Sequence, residues 1–172
     1  NKTVASFVDP RTFVPHKYEE LTVDLGEIVM NYAVAGSSSK PALLLIPGQT
    51  ESWWGYEGAM DILEEDFQVF AVDLRGQGGS QRLTEKRLRG HVGSFEEYDE
   101  DIRAFMTQVV LPDCPPPYYV LAHSTGGNII LRLIRTRNWF KKCVLIAPLI
   151  DLNYGAWPIP AVRLMTSIAM TL

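Results

Sequence analysis

Residues 118–127 read Tyr-Tyr-Val-Leu-Ala-His-Ser-Thr-Gly-Gly, and they give the strongest structural signal in the chain. A short apolar strand runs directly into a sharp turn at Ser124, and residues 128–134 continue with the spacing of a helix. A turn this sharp predicts a strained backbone at Ser124, with its hydroxyl group projecting from the tip of the strand. Ala122 and Gly126 are small, as they must be where strand and helix backbones nearly touch. The pattern therefore predicts a serine nucleophile at Ser124.

The rest of the chain alternates apolar strands with amphipathic segments. Continuous apolar runs are typical of parallel strands that are buried on both faces of a sheet. Residues 54–66 predict a helix that points Met60, Ile62 and Leu63 inward, and a capping box at 94–97 opens another helix. The predicted elements are a hairpin of 20–25 and 28–35, strands at 42–46, 67–73, 118–123 and 143–147, and helices at 54–66, 94–110 and from 125.

Strands that alternate with helices predict an α/β fold with a doubly wound, mostly parallel sheet. Such sheets place their chemistry at the carboxyl ends of the strands, where the loops 47–52, 73–80 and 122–127 would meet. Residues 1–150 contain no internal repeat or linker, so they predict a single core domain.

Composition excludes several classes of function. The chain has 172 residues, a formal net charge of −4 and 47% hydrophobic residues, which argues against a nucleic-acid surface. Two cysteines suggest neither a disulfide framework nor a metal site, and Cys143 is expected to be a buried, inert thiol. No signal peptide or membrane span is apparent, because residues 1–15 lack an apolar core and residues 159–172 are too short. A cytoplasmic location is the default expectation, and no cofactor is implied.

Two backbone amides are candidates for holding an oxyanion next to Ser124. The amide of Thr125 opens the helix that follows the serine and points towards the space where a substrate oxyanion would form. Pro47-Gly48-Gln49 follows the first buried strand, and Gly48 allows the tight turn that would present the amide of Gln49. An ordinary strand-to-helix turn at 47–49 is the competing interpretation.

A general base for Ser124 is missing from the pattern. The sequence has three histidines, and none of them follows Ser124. His123 is adjacent to the serine and should point to the other side of the strand, while His16 and His91 lie in an arm and a loop. Asp151 could serve as an acid, although a surface loop carboxylate is the favoured interpretation.

Two further motifs allow more than one interpretation. Residues 73–80 are rich in glycine, but Gln81 stands where a dinucleotide fingerprint needs its third glycine, so a tight structural loop is favoured. Trp53, Trp54 and Tyr56 could line an apolar pocket or pack a helix. The basic residues around Arg82 read better as a solvated loop than as an anion guide.

Taken together, these residues resemble the amino-terminal portion of proteins of the α/β-hydrolase superfamily. Residues 81–151 resemble the lysophospholipase and monoacylglycerol lipase branch. The segments that carry this resemblance are residues 89–95, residues 122–127 together with Arg132-Leu133, and residues 147–151. Residues 28–80 are more similar to a lactonase or carboxylesterase-like branch, chiefly through 44–54.

The resemblance implies esterase chemistry on a small-molecule or lipid ester. Ser124 would attack the acyl carbon, the amides of Gln49 and Thr125 would hold the oxyanion, and water would release the acid. It also implies that family members continue beyond this sequence, with the triad acid and histidine, and that residues 151–172 begin a lid. The strand at 143–147 would then have an apolar edge through which the chain could self-associate.

Three functions compete. The first is a serine ester hydrolase that is catalytically incomplete in this chain. The second is a non-catalytic binding or assembly module, or a recombined fragment, that keeps the fold. The third is a haloalkane dehalogenase or epoxide hydrolase, which needs an aspartate where this chain has Ser124.

Overall fold

A computed structural model describes residues 3–4, 15–84 and 90–150, and a seven-stranded sheet forms the centre of this part. The strands are β1 (Thr3–Val4), β2 (Glu20–Asp24), β3 (Val29–Ala35), β4 (Ala42–Ile46), β5 (Gln68–Val72), β6 (Tyr118–His123) and β7 (Phe140–Ile146). The helices are a 3₁₀ turn (Trp53–Tyr56), α1 (Glu57–Leu63), α2 (Glu96–Phe105), a π-helical segment (Met106–Val110), α3 (Leu111–Asp113) and α4 (Thr125–Thr136).

The strand order across the sheet is β1-β2-β3-β5-β4-β6-β7. Strands β5, β4, β6 and β7 are parallel, whereas β1, β2 and β3 form an antiparallel meander that joins them at β5. The α/β class and the predicted hairpin are therefore confirmed, and the sheet is mixed. The crossovers place the carboxyl ends of β4, β5 and β6 side by side, as the predicted cluster of loops requires.

Helices cover both faces of the sheet. On one face, α2 and α4 pack against alternate residues of the central strands, including Leu44, Phe70 and Val120. On the other face, Trp53 and Met60 pack against the intervening residues, including Leu45 and Ala71. This alternation follows from the two-residue period of a strand, and it explains why β4 and β5 are buried at every position.

Two sequence predictions about burial are wrong. Ile62 is 71% exposed, because α1 turns Met60 to the core and Ile62 to solvent. Cys143 is only half-buried, because β7 pairs with β6 alone among the described strands and, after the buried Phe140, has only exposed and partly buried residues. Burial nevertheless raises the pKa of the Cys143 thiol. On the same strand, Val144 and Ile146 are 54% and 47% exposed.

The predicted helix over 94–110 is present with an altered start and end. Its first turn begins at Glu96, and the Ser94 amide donates to Glu97 Oε1 at 3.1 Å, which is one of the two hydrogen bonds of a capping box. After Phe105 the helix widens to π-helical geometry. Within the described residues, no helix is both long and apolar enough to cross a membrane. The predicted lid at 151–172 lies outside the described residues.

Candidate active site

Ser124 occupies the turn between β6 and α4 in a strained conformation. Its φ and ψ are 48° and −112°, a region that residues with a side chain rarely adopt. The Ser124 amide donates to the carbonyl of Ile146 at 3.0 Å, and the Ser124 carbonyl accepts from the amide of Leu149 at 2.9 Å. The end of β7 and the residues just after it therefore hold the strained turn in place.

Close backbone packing explains the small residues around Ser124. A Cβ atom built on Gly126 would lie 2.6 Å from the carbonyl oxygen of Pro47 and 2.7 Å from that of Ile46. A Cβ atom on Gly127 would lie 2.8 Å from Cβ of Pro148. All three contacts are shorter than side chains tolerate, so the turn requires glycine at these two positions.

The loop after β4, residues 47–53, lies directly against the Ser124 turn. A Cβ atom built on Gly48 would be 3.1 Å from Cβ of Ser124 and 3.0 Å from Nδ1 of His123. The structure thus brings together two of the loops that the sequence placed at this edge. Gln49 follows Gly48 and is exposed, while Thr125 is buried at the first position of α4.

Most amides of the 47–53 loop have an acceptor. The Gly48 amide donates to Glu51 Oε2 at 2.6 Å, the Thr50 amide donates to Oε1 of Gln77, and the Trp53 amide donates to Asp73 Oδ1 at 2.7 Å. The amide of Gln49 has no acceptor among the described residues, and the same is true of the Thr125 amide. Sequence reasoning selected these two amides, whereas it did not select the Ser52 amide, which also has no acceptor among the described residues.

Asp73 anchors the 47–53 loop to the glycine-rich loop, residues 73–80. Its fully buried carboxylate accepts hydrogen bonds from four donors, and burial raises its pKa against their influence. Gly78 has a φ of 47°, and a Cβ atom there would lie 2.0 Å from Asp73 Oδ2, so the loop must be glycine-rich to wrap this carboxylate. The donors are Asn31 Nδ2, Ser52 Oγ and the amides of Trp53 and Gly79. The predicted structural loop is confirmed, whereas the role of Asp73 was missed.

A pairing between Glu51 and His123 was also missed. His123 Nδ1 lies 3.0 Å from both carboxylate oxygens of Glu51, although 72 positions separate the two residues. Burial works against ionisation of Glu51, but hydrogen bonds from His123 and the Gly48 amide outweigh it and lower the pKa of the carboxyl group. His123 is therefore occupied by Glu51, and no hydrogen bond joins it to Ser124 in the part of the chain that the structure describes.

A cleft of about 370 Å³ opens beside the 47–53 loop and His123. Trp54, Tyr56 and Ile146 supply its apolar walls, whereas Trp53 is fully buried in the core. The three aromatic residues therefore divide between the two roles that the sequence left open. Burial, with the charge of Glu51, raises the pKa of Tyr56 to about 12, so its hydroxyl stays neutral and donates to the carbonyl of Ile46.

The remaining candidates lie away from Ser124 or outside the described residues. His16 packs against the rings of Trp53 and Trp54, and His91 is exposed beside the glycine-rich loop. Arg82 donates through Nη1 to backbone carbonyls of that loop, in keeping with a structural role. Asp151 is outside the described residues. Among those that are described, no group of three or more His, Cys, Asp or Glu could hold a metal ion.

Comparisons with known proteins agree with this geometry. Lysophospholipase L2 of Escherichia coli strain K12 is 42% identical over 88 residues, which cover 51% of this chain and 26% of that protein. A fluoroacetate dehalogenase of a Burkholderia species is 35% identical over 111 residues, 64% of this chain and 34% of that protein. The chain therefore spans only about a quarter to a third of the length of these relatives.

A solved structure and a family model complete the comparison. The crystal structure of a putative lipase from Acinetobacter baumannii AYE superposes on this chain with a TM-score of 0.67 and 24% sequence identity. The superposition covers 88% of this chain and 48% of that one, and it shows that the two share a fold. The family model described as serine aminopeptidase, S33, matches residues 37–172. The chain therefore belongs to the serine aminopeptidase S33 family of α/β-hydrolases.

Proposed function

We propose that this chain carries the nucleophile and oxyanion hole of a carboxylic ester hydrolase. The observation that carries the proposal is the strained Ser124 turn, whose Cβ lies close to the 47–53 loop. Thr125 follows that serine, and Gln49 follows Gly48 in the neighbouring loop; the amides of both lack an acceptor among the described residues. Preorganised amides of this kind stabilise the negative oxygen of an acyl-transfer intermediate.

In the proposed reaction, Ser124 Oγ forms a bond to the acyl carbon and passes its proton to a base. The carbonyl oxygen becomes an oxyanion that accepts hydrogen bonds from Gln49 and Thr125. Its collapse breaks the bond to the alcohol oxygen, which takes the proton from that base, and water then hydrolyses the serine ester to the acid and the free Ser124 hydroxyl. Since no histidine follows Ser124 in the sequence and His123 is bound to Glu51, this chain alone should turn over slowly.

The substrate is proposed to be a lipid or small-molecule ester with an apolar acyl group. The apolar walls of the cleft, Trp54, Tyr56 and Ile146, support this choice. The name lysophospholipase belongs to the Escherichia coli relative, and it agrees with an ester-linked acyl chain. We do not propose dehalogenase activity for this chain. A dehalogenase needs an aspartate nucleophile at this turn, and the chain has Ser124 there.

A fluorophosphonate probe tests the proposal directly. The purified chain is treated with the probe, digested and analysed by mass spectrometry to locate the adduct. We expect labelling at Ser124 that disappears in Ser124→Ala and persists in Ser39→Ala, a matched change of an exposed loop serine. A folded but unlabelled protein would exclude an activated serine in this chain.

A second candidate is a non-catalytic module that assembles through the edge of β7. The exposed apolar side chains of Val144 and Ile146 on that strand favour this function. Sedimentation equilibrium distinguishes the two, because an assembly module should self-associate at micromolar concentration and lose that association in Val144→Lys. A monomer with a labelled Ser124 supports the hydrolase instead.

A further inference from the structure

We propose that Glu51 is a positioning residue that holds the oxyanion loop against the serine turn. This inference rests on the proposed function, since it assigns Glu51 a task in placing the amide of Gln49 relative to Ser124. Neither the alternation of strands nor the glycine pattern singles out Glu51.

The geometry of the bridge is specific. One carboxylate oxygen, Oε2, lies 2.6 Å from the Gly48 nitrogen and 3.0 Å from His123 Nδ1. Gly48 immediately precedes Gln49, and His123 immediately precedes Ser124. A single side chain therefore fixes the residue before the proposed oxyanion donor and the residue before the proposed nucleophile.

The other end of the 47–53 loop is held independently. Asp73 binds Ser52 and Trp53, and Gln77 binds the Thr50 amide, so these contacts remain when Glu51 is changed. The Glu51 side chain is itself 42% exposed, which limits what its removal costs in global stability. Loss of Glu51 should therefore release the Gly48–Gln49 end of the loop without unfolding the protein.

The bridge also fixes the tautomer of His123. An ionised carboxylate can only accept hydrogen bonds, so the proton of a neutral His123 must sit on Nδ1. Nε2 is then left without a proton. A merely space-filling role for Glu51 would not impose this preference, and the tautomer is therefore a spectroscopic signature of the bridge.

Nuclear magnetic resonance of the ¹⁵N-labelled chain tests the bridge without reference to activity. At a pH where His123 is neutral, we expect the Nδ1–H tautomer in the wild type and a shift towards Nε2–H in Glu51→Ala. The Gly48 amide proton should move upfield and exchange with solvent about tenfold faster. Glu65→Gln, a change at an exposed glutamate, should alter neither signal. Unchanged signals in Glu51→Ala would overturn the bridge.

The rate of fluorophosphonate labelling at Ser124 tests the positioning role. We expect Glu51→Ala to lower the maximal labelling rate about 10- to 100-fold, with little change in the probe concentration at half-maximal rate. Glu51→Gln should recover part of that rate, because its amide oxygen can still accept from Gly48. An unchanged rate beside a labelled wild type overturns the positioning role. If the wild type is not labelled, the proposed function fails, and the resonance data alone then decide whether the bridge exists.

Discussion

Arg75 donates two parallel hydrogen bonds to Asp101, from Nε to Oδ2 at 2.6 Å and from Nη2 to Oδ1 at 2.7 Å. The two side chains are only 1% and 4% exposed. Arg75 lies in the glycine-rich loop and Asp101 on α2, so the pair fastens the rim of the candidate site to the helical layer. Bidentate geometry of this kind needs the planar guanidinium group, and lysine cannot reproduce it.

Replacing Arg75 by methionine should destabilise the protein strongly. The change leaves the buried carboxylate of Asp101 without its partner, which typically costs about 3–5 kcal/mol in the free energy of unfolding. Urea denaturation measures this value, and Arg135→Met provides a control at an exposed arginine on α4. Addition of Asp101→Leu to Arg75→Met should restore part of the loss, because it removes the uncompensated charge. A single-variant loss below about 1 kcal/mol would contradict the assigned role.

The sequence was sufficient for the strands and for the Ser124 turn because both depend on local patterns. Apolar runs at 42–46 and 118–122 predict buried strands by themselves. Gly126 indicates that the backbone of α4 lies close to the end of β4. Even so, the phase of a short helix was misjudged at Ile62, since α1 ends at Leu63 and has too few residues to define one face.

The contacts that organise the site could not be predicted in the same way. Glu51 and His123 are 72 positions apart, and neither belongs to a repeating pattern. Asp73 looked like the first residue of a glycine-rich loop, yet its carboxylate collects four donors from three separate segments. Pairings of this kind depend on which loops the sheet order brings together, and a single sequence carries no periodic signal for them.

Alanine at Gly126 should destabilise the protein, whereas alanine at Gly58 should not. The Gly126 Cβ would lie 2.6 Å from a backbone oxygen, which cannot move without shifting β4, while Gly58 has nothing within 4 Å. Overpacking typically costs about 1–3 kcal/mol, and glycine to alanine in an exposed helix stabilises by up to about 1 kcal/mol. Thermal denaturation of both variants checks the contrast. Equal melting temperatures would show that the turn has room for a Cβ atom at Gly126.

The contribution of Glu51 to stability should disappear in acid. Hydrogen bonds from His123 and Gly48 lower its folded-state pKa below the ordinary value of 4.5, despite the opposing effect of burial. A carboxyl group with a depressed folded pKa stabilises the protein above its unfolded pKa, and that stabilisation is lost as the pH falls through the folded pKa. The stability difference between wild type and Glu51→Gln should therefore shrink between pH 6 and about pH 3. Glu65→Gln should give a small difference that does not depend on pH in this way.

Glycine at Ser124 should stabilise the protein while alanine should not. A φ of 48° with a ψ of −112° strains any residue that has a Cβ atom, and such strain costs about 1–3 kcal/mol. Ser124→Gly relieves the strain, although glycine also gains freedom in the unfolded chain, so the expected net gain is about 1 kcal/mol. Ser124→Ala keeps the Cβ atom and should remain near the wild-type value. Urea denaturation of the three proteins measures the order of stability. If the glycine variant is no more stable than the alanine variant, the turn stores no strain. The main evidence that Ser124 reduces stability in favour of catalysis would then be lost.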